Sequence, residues 1–257
     1  MTEGPLGIVS AMPQELAAVL ALMPEERRVD LAGRSFWHGQ LGGHEVVAVV
    51  SGIGKVAAAT TATLLLQRFC ATGLVFTGVA GGLGDGVRVG DTVVATAFLQ
   101  HDMDASPLFA RHEIPGYGFS RFSTHRSWQQ GLSAAARRTA ASLAATVGAE
   151  VVARFGLEAT QVHEGLVISG DRFVSSEAES TALRQQLPDA LAVEMEGAAV
   201  AQVCHDHGVP FAAVRCVSDR ADQAAHVDFV RFVSEVTCHT SAHTVLDWLS
   251  HLDTPQA

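Results

Sequence analysis

The sequence has little positive charge. Its 17 Lys and Arg residues stand against 27 Asp and Glu residues, which gives a formal net charge of −10 at pH 7. No run of Lys and Arg forms a local basic patch of the kind that binds a phosphate backbone. The composition therefore argues against a nucleic-acid partner. It leaves neutral or cationic small molecules as candidate ligands, together with anions held by backbone amides.

Long apolar runs are also absent. No uninterrupted apolar stretch approaches the roughly 20 residues that a membrane-spanning helix needs. The N-terminal segment "MTEGPLGIVSAMPQE" has no basic residue ahead of its apolar part, and the charged Glu15 ends that apolar part early, so it does not match a signal peptide. We therefore expect no membrane partner and a cytoplasmic location.

Cysteine is sparse, and its four residues show no CxxC spacing: Cys70, Cys204, Cys216 and Cys238. We expect free thiols in a reducing compartment. The 12 histidines raise the question of a metal, with "CHDH" (204–207) and "HDMD" (101–104) as the densest clusters. The first lies at a predicted helix end, where a cationic histidine suits the helix dipole, and the second has no partner cluster at a metal-site interval. We interpret both as structural or solvated and predict no metal.

Strand and helix patterns alternate along the chain. With 48% hydrophobic and 17% charged residues, the composition is that of a folded globular protein. Strands are predicted at 6–10, 34–40, 44–50, 74–78, 91–99, 162–169 and 211–218, and helices at 13–23, 55–69, 127–148, 176–187, 196–207 and 228–250. Residues 100–126 are predicted to form a long functional loop. No linker or repeat divides the chain, so we expect one layered α/β domain over residues 1–257 with a mostly parallel sheet.

Acidic residues recur where predicted strands end. In parallel sheets, ligands bind outside the carboxyl ends of the strands. Five acidic side chains come after such ends here: Glu15, Asp171, Glu194, Glu196 and Asp219. Any one of them is explained equally well as a helix N-cap. All five together with glycine-rich turns predict a binding site.

Two glycine motifs are not specific by themselves. "GIGKVA" (52–57) follows a strand and opens a helix, like a dinucleotide-binding turn, but the acidic residue expected about 20 positions later is missing. It is not a phosphate-binding Walker motif either, because Val49 stands where the first glycine belongs. "TGVAGGLGDG" (77–86) is explained by tight turns or by close backbone approach to a ligand.

Taken together, the motifs have a recognisable order. "GIVSAMPQE", "SGIGKVAAATTATLLL", "TGVAGGLGDGVRVGD", "GLVISGDRFV", "AVEMEGAAVAQVC" and "VPFAAVRCVSDRAD" resemble the 5′-methylthioadenosine/S-adenosylhomocysteine nucleosidases of the purine nucleoside phosphorylase-like superfamily. The resemblance covers roughly residues 6–232. It implies a three-layer α/β/α sandwich with a central, mostly parallel, mixed sheet. It also implies a homodimer that hydrolyses, without a cofactor, the bond between adenine and a 5′-thio-substituted ribose.

The resemblance also implies residue roles. Glu15 matches the general base that activates water, Asp219 the acid that protonates adenine at N7, and Glu196 the carboxylate that grips the ribose hydroxyls. These roles agree with glycosidic chemistry, in which positive charge develops on the ribose and negative charge on the leaving base. Glu194 is left as a structural carboxylate. The remaining expected contacts are Met12, Val79, Phe173 (stacking on the base), Val174 (reading the adenine edge), Met195 (against the sugar), Ser218, Phe229, Leu108 and, in a supporting role, Arg215.

The sequence departs from the family pattern at two places. Val79 stands where well-known members have Ser, which leaves open one polar contact near the ribose or the water. The segment 100–118 matches the loop over the 5′ substituent only in part, with Leu108 and Phe109 as candidates that reach across a dimer interface. Four alternatives therefore stay open: a hydrolase with another 5′ group (futalosine-type), a phosphate-dependent phosphorylase, a non-catalytic nucleoside-binding module and, last, an NAD-dependent dehydrogenase.

Overall fold

The structure is a computed structural model, and the residues described are 4–220 and 229–252. The strands are β1 (Leu6–Ser10), β2 (Arg27–Leu31), β3 (Arg34–Leu41), β4 (His44–Val50), β5 (Leu74–Gly82), β6 (Thr92–Gln100), β7 (Arg121–Ser123), β8 (Val162–Ser169), β9 (Ala190–Glu194) and β10 (Phe211–Asp219). The helices are α1 (Pro13–Ala21), α2 (Lys55–Arg68), α3 (Arg126–Ala141), α4 (Leu143–Val147), α5 (Ala149–Phe155), α6 (Glu177–Gln186), α7 (Gly197–His207), α8 (Phe229–Phe232) and α9 (Cys238–Ser250). A π-helical segment, Val233–Thr237, joins α8 to α9.

The strands form one mixed sheet in the order β10-β6-β8-β9-β5-β1-β4-β3-β2, with β7 paired to β6. A further pairing of β10 with β5 closes the first five strands into a ring. β1 runs parallel to β4 and β5, β5 parallel to β10, and β8 parallel to β6 and β9. β1, β4, β5 and β10 are thus one parallel set and β6, β8 and β9 another, and the two sets meet in the antiparallel pairs β10–β6 and β5–β9.

Helices cover both faces of this sheet. Ile8 and Val9 are neighbours on β1, yet they belong to different cores because side chains alternate across a strand. Val9 packs in the core that contains buried residues of α2 and α7, and Ile8 in the core that contains those of α1, α3 and α9. The predicted three-layer α/β/α sandwich with a mixed central sheet is therefore confirmed. None of the described helices has the length and apolarity that crossing a membrane requires.

Several details differ from the prediction, including α5, which follows the helix predicted at 127–148. The edge strand β2 was not predicted, because "RRVDL" is largely charged and exposed. The short β7 lies inside the predicted loop 100–126. The helix predicted at 127–148 is interrupted at Ser142, whose hydroxyl donates back to the carbonyl of Arg138 at 3.0 Å, a bond that competes with the helical ladder. The four cysteines are free thiols, as predicted.

Candidate active site

A cavity opens where β1, β5, β9 and β10 end. Including its open mouth it measures about 710 Å³. The residues that line it are Ala11, Met12, Glu15, Ile53, Val79, Ala80, Gly81, Arg172, Phe173, Val174, Val193, Glu194, Met195, Glu196, Ser218 and Asp219. The carboxylates predicted from the strand ends thus lie together here, except for Asp171, which lies beside the cavity.

Glu15 lies in the first turn of α1, directly after β1. Its Oε2 accepts the backbone N–H groups of Ala11 and Met12 at 2.8 Å each, and its Oε1 accepts the N–H of Val79 at 3.0 Å. Burial raises the pKa of this carboxyl above its ordinary value, while Arg215 and the three amide donors oppose the shift. The amides fix a buried carboxylate at the cavity wall, where it is positioned to accept a proton.

Gly78 allows Glu15 and Arg215 to approach the backbone of β5. A Cβ at this position would lie 2.5 Å from Oε1 of Glu15 and 3.1 Å from Nη1 of Arg215. The guanidinium carbon of Arg215 lies 3.7 Å from the centre of the Phe76 ring, and its Nη2 donates to Glu194 at 2.7 Å. Arg215 does not line the cavity itself. It supplies a buried positive charge directly behind the carboxylates.

Asp219 is the last residue of β10, where the pairing with β5 shifts register between Val217 and Asp219. Such an irregularity re-aims side chains, and both Ser218 and Asp219 line the cavity. Ser218 donates its hydroxyl to Oδ2 of Asp219 at 2.8 Å. Asp219 is 6% exposed, so the cavity contains a second, largely desolvated carboxyl group.

Glu196 lies in the turn between β9 and α7. Its Oε1 accepts the N–H of Gly54, in the glycine turn after β4, at 2.8 Å. Burial, and after it the charge of Glu194, raise the pKa of Glu196 to about 8. The protonated form is therefore favoured in the empty cavity, and a positive charge nearby would favour the ionised form.

Glu194 is held by the protein itself. It accepts the N–H of Gly197 at 2.8 Å and the hydroxyl of Ser169, and it forms a buried ion pair with Arg215. Gly197 is required at the start of α7, because a Cβ there would lie 2.2 Å from the ring of Phe98. Glu194 therefore fixes the turn from which Glu196 reaches the cavity.

Apolar side chains form the rest of the wall. Phe173, which follows β8, lines the cavity although 45% of it is exposed, whereas Val174 is buried. Met12, Val79 and Met195 line the cavity as well. A flat apolar ligand part fits between such groups, and the carboxylates offer hydrogen-bond acceptors to hydroxyls.

One predicted contact residue lies away from the cavity of its own chain. Leu108 does not line the cavity of its own chain and is 84% exposed, so its contact with a ligand, which involves the dimer interface, stays a prediction. Its neighbours are exposed as well, since residues 106–111 are all exposed. The side chain of Phe229 is outside the described residues, although its backbone begins α8.

The cavity also contains residues that the sequence reasoning did not single out. Ile53 belongs to the "SGIGK" turn, which was noted only as a glycine motif, and Arg172 belongs to "SGDRF". The sequence feature that could have identified both residues is their position after a predicted strand. Within residues 4–220 and 229–252, no group of three or more His, Cys, Asp or Glu side chains is arranged to hold a metal ion.

Comparison with known proteins gives a consistent result. Residues 5–248 match the phosphorylase superfamily. The chain is 35% identical over 237 residues to the 5′-methylthioadenosine/S-adenosylhomocysteine nucleosidase of Anoxybacillus flavithermus, covering 92% of this chain and 94% of the relative. It is similar to the crystal structure of the nucleosidase of that name from Neisseria meningitidis in complex with methylthio-immucillin-A, with a TM-score of 0.85, 33% identity and coverage of 97% and 100%. A futalosine hydrolase structure from Helicobacter pylori is also similar, with a TM-score of 0.81, 31% identity and coverage of 97% and 98%.

Proposed function

The chain belongs to the phosphorylase superfamily and, within it, to the 5′-methylthioadenosine/S-adenosylhomocysteine nucleosidases, and on that premise we propose that it hydrolyses the N-glycosidic bond of these two nucleosides and releases adenine. The observation that carries the proposal is the gathering of Glu15, Glu196 and Asp219 around one cavity. The reaction consumes only nucleoside and water.

Glu15 is proposed as the general base. A water at this wall would give a proton to a carboxylate that is already fixed by the N–H groups of Ala11, Met12 and Val79. The raised pKa of Glu15 makes it a stronger base than an exposed carboxylate. The buried charge of Arg215 keeps its anionic form accessible.

Glu196 is proposed to grip the ribose hydroxyls. Positive charge develops on the ribose as the glycosidic bond breaks, and a carboxylate beneath the sugar stabilises it. Burial raises the pKa of Glu196, so its ionised form is stabilised most where positive charge lies near it. The stabilisation is therefore greater in the transition state than in the ground state, as catalysis requires.

Asp219 is proposed to protonate N7 of the leaving adenine. It lies at the end of β10 in the same cavity, with Ser218 donating to one of its oxygens. Phe173 is proposed to stack on the base, the backbone of Val174 to read its edge, and Met195 to pack against the sugar. Met12 and Val79 would complete the walls, with Phe229 closing the pocket and Arg215 supporting it.

Water is a better nucleophile here than phosphate. An incoming phosphate would meet the carboxylates of Glu15 and Glu196 and the apolar side chain of Val79. Arg172 lines the cavity but pairs with Glu179, and Arg215 pairs with Glu194 outside the lining. An ionised carboxylate this close repels a phosphate strongly in a partly desolvated site, and a protonated one offers it no positive charge. This observation disfavours a phosphate-dependent phosphorylase.

A futalosine-type hydrolase is the second candidate. It is favoured by the structural similarity to the futalosine hydrolase of Helicobacter pylori and by the incomplete match of the 100–118 loop. The two candidates share the cleavage chemistry and differ in the group attached at the 5′ position.

We further propose a homodimer in which residues 1–257 act as one nucleosidase domain. Ile53, Val56 and Leu108 expose 60%, 79% and 84% of their surfaces in the single chain, which supports coverage by a second copy. A cytoplasmic location and a role in methionine salvage complete the proposal. The role in methionine salvage follows from the substrate class, and the cytoplasmic location follows from the free thiols.

The proposal is tested by incubating the protein with methylthioadenosine, S-adenosylhomocysteine, adenosine, inosine and futalosine, with and without phosphate, and measuring free base. Adenine release from the first two at a rate independent of phosphate is the expected result. Release only with phosphate would identify a phosphorylase, and release only from futalosine would favour the second candidate. No release from any nucleoside would indicate a non-catalytic binding module.

A further inference from the structure

Lys55, the first residue of α2, contacts three polar side chains beside the cavity. Its Nζ lies 2.5 Å from Oδ1 of Asp102 and 3.7 Å from Oδ2 of Asp171. It also donates to Oε1 of Gln100 at 3.2 Å. These three acceptor groups come from the end of β6 and from the segments after β6 and β8, whereas Lys55 comes after β4.

Backbone groups tie Lys55 and the two aspartates together. The N–H of Lys55 donates to Oδ1 of Asp171 at 2.8 Å, and the N–H of Asp171 donates to Oδ2 of Asp102 at 2.9 Å. Hydrogen bonds from Lys55 and Asp171 hold the pKa of Asp102 low although burial opposes it. We call Lys55, Asp102 and Asp171 the Lys55 clamp.

Two members of the Lys55 clamp lie two positions along the chain from residues that line the cavity. Ile53 precedes Lys55, and Phe173 follows Asp171; both line the cavity. Gly54, between Ile53 and Lys55, donates its N–H to Glu196 at 2.8 Å. A Cβ at Gly54 would lie 3.1 Å from Oδ1 of Asp171, and its φ of +96° favours glycine, so the turn is fitted closely to the clamp.

We propose that Lys55 is a positioning residue for substrate binding, whose ammonium group holds the turn with Ile53 and Gly54 and the segment with Phe173 at the separation that a bound nucleoside needs. The inference rests on the proposed nucleosidase function and deepens it. Lys55 does not line the cavity, so it acts through these neighbours and not through the reacting atoms.

Charge explains why a lysine is needed. Asp102 and Asp171 hold each other through one backbone hydrogen bond, and the Lys55 ammonium, whose side chain is 15% exposed, lies close to both carboxylates. Without that cation the two carboxylates would repel across a partly desolvated gap. The segments after β6 and β8 would separate. The distance between the ring of Phe173 and the turn with Gly54 would then no longer be fixed.

The test begins with Lys55→Met, which keeps the aliphatic stem and removes the charge. We expect KM for methylthioadenosine to rise about tenfold or more while kcat changes less than about threefold, because ground-state and transition-state binding suffer equally. Arg138→Met is the matched control, since it breaks a charge pair with Asp247 on the far helical layer. It should leave both constants unchanged.

Rescue separates charge balance from simple packing. In the triple variant Lys55→Met with Asp102→Asn and Asp171→Asn, the repulsion is gone while the side-chain oxygens still accept the two backbone N–H groups. We expect KM to return to within about threefold of the wild-type value. A triple variant as impaired as Lys55→Met, or a Lys55→Met protein whose kcat falls while KM stays constant, would overturn the proposal.

Hydrogen exchange keeps this test independent of the catalytic assignment. Lys55→Met should increase amide exchange in segments 52–57 and 170–174 and leave segments of α3 and α9 as in the wild type. Unchanged exchange in the first two segments would refute the clamp even if the wild type were fully active. Absence of adenine release from the wild type, together with increased exchange in the variant, would refute the nucleosidase function and keep the clamp.

Discussion

The carboxylate of Glu194 accepts the backbone N–H of Glu196 at 3.2 Å, so one acid of the pair holds the main chain from which the other reaches the cavity. Glu194 and Glu196 are two residues apart with a bend between them, and they have different roles. Glu194 is bound by Arg215 and by the first amide of α7, where the helix dipole favours an anion. Glu196 receives one amide donor from the glycine turn. A strand that leads directly into a helix thus supplies both a structural and a cavity-facing carboxylate.

The first prediction concerns the buried ion pair. Glu194→Gln removes the charge that faces Arg215, and both side chains are almost fully buried, at 3% and 2% exposed. An uncompensated buried charge typically costs about 3–5 kcal/mol. We expect a loss of that order in the free energy of unfolding, measured by urea denaturation. Asp247→Asn, which breaks a partly exposed pair with Arg138, should cost no more than about 1 kcal/mol; equal losses in the two variants would contradict the assignment.

The second prediction concerns pH-dependent stability. The pKa of Glu196 rises from 4.5 to about 8 on folding, so the folded protein binds one more proton than the unfolded chain between these values. Stability from this group is fully present below pH 4.5 and is lost as the pH rises through 8. Relative to Glu196→Gln, the wild type should lose about 1.4 kcal/mol per pH unit between about pH 5 and 7.5.

This difference is measured by denaturation of both proteins across the pH range. Glu15 is present in both, so its own raised pKa largely cancels in the comparison. Parallel stability curves for the two proteins would show that Glu196 has an ordinary pKa. In that case it would be ionised before the nucleoside binds.

The fold could be predicted from local patterns, because β1, β5 and β10 are apolar runs and their ends carry the acids Glu15 and Asp219. The common edge of a parallel sheet then brings such residues together. Their chemical roles came from the family resemblance and stay proposals. The network of Lys55 was not predicted, since its partners Asp102 and Asp171 lie 47 and 116 residues away along the chain. A sequence pattern carries no signal for a charge pair at that separation.

A contact between chains, such as the one proposed for Leu108, is also not predictable from a sequence pattern. Its own chain leaves it 84% exposed, so a role near the 5′ group requires a second copy. We predict that Leu108→Ala raises KM for methylthioadenosine by the equivalent of about 1.5–3 kcal/mol of lost apolar burial, with little change for adenosine. Steady-state kinetics with both substrates measure this. Equal effects on both would remove the loop from the 5′ subsite, and a monomer in light scattering would remove the second copy.

The last prediction concerns Asp219 as the acid. Its carboxyl lies at the end of β10, is 6% exposed and receives a hydrogen bond from Ser218. An asparagine of the same shape can donate a hydrogen bond to N7 but cannot deliver a proton. Asp219→Asn should therefore keep nucleoside binding within about tenfold, while kcat for methylthioadenosine falls by about 10²–10⁴.

A leaving group that needs no proton separates this role from a general loss of structure. A nitrophenyl riboside should be cleaved by Asp219→Asn much closer to the wild-type rate, because nitrophenolate departs as an anion. Asp189→Asn, which breaks an exposed pair with Arg121, is the matched control and should leave both substrates unaffected. If Asp219→Asn cleaved methylthioadenosine at nearly the wild-type kcat, or lost both substrates equally while folded, the proton would have to come from another group. Glu196, whose raised pKa favours its protonated form in the same cavity, would then be the next residue to substitute.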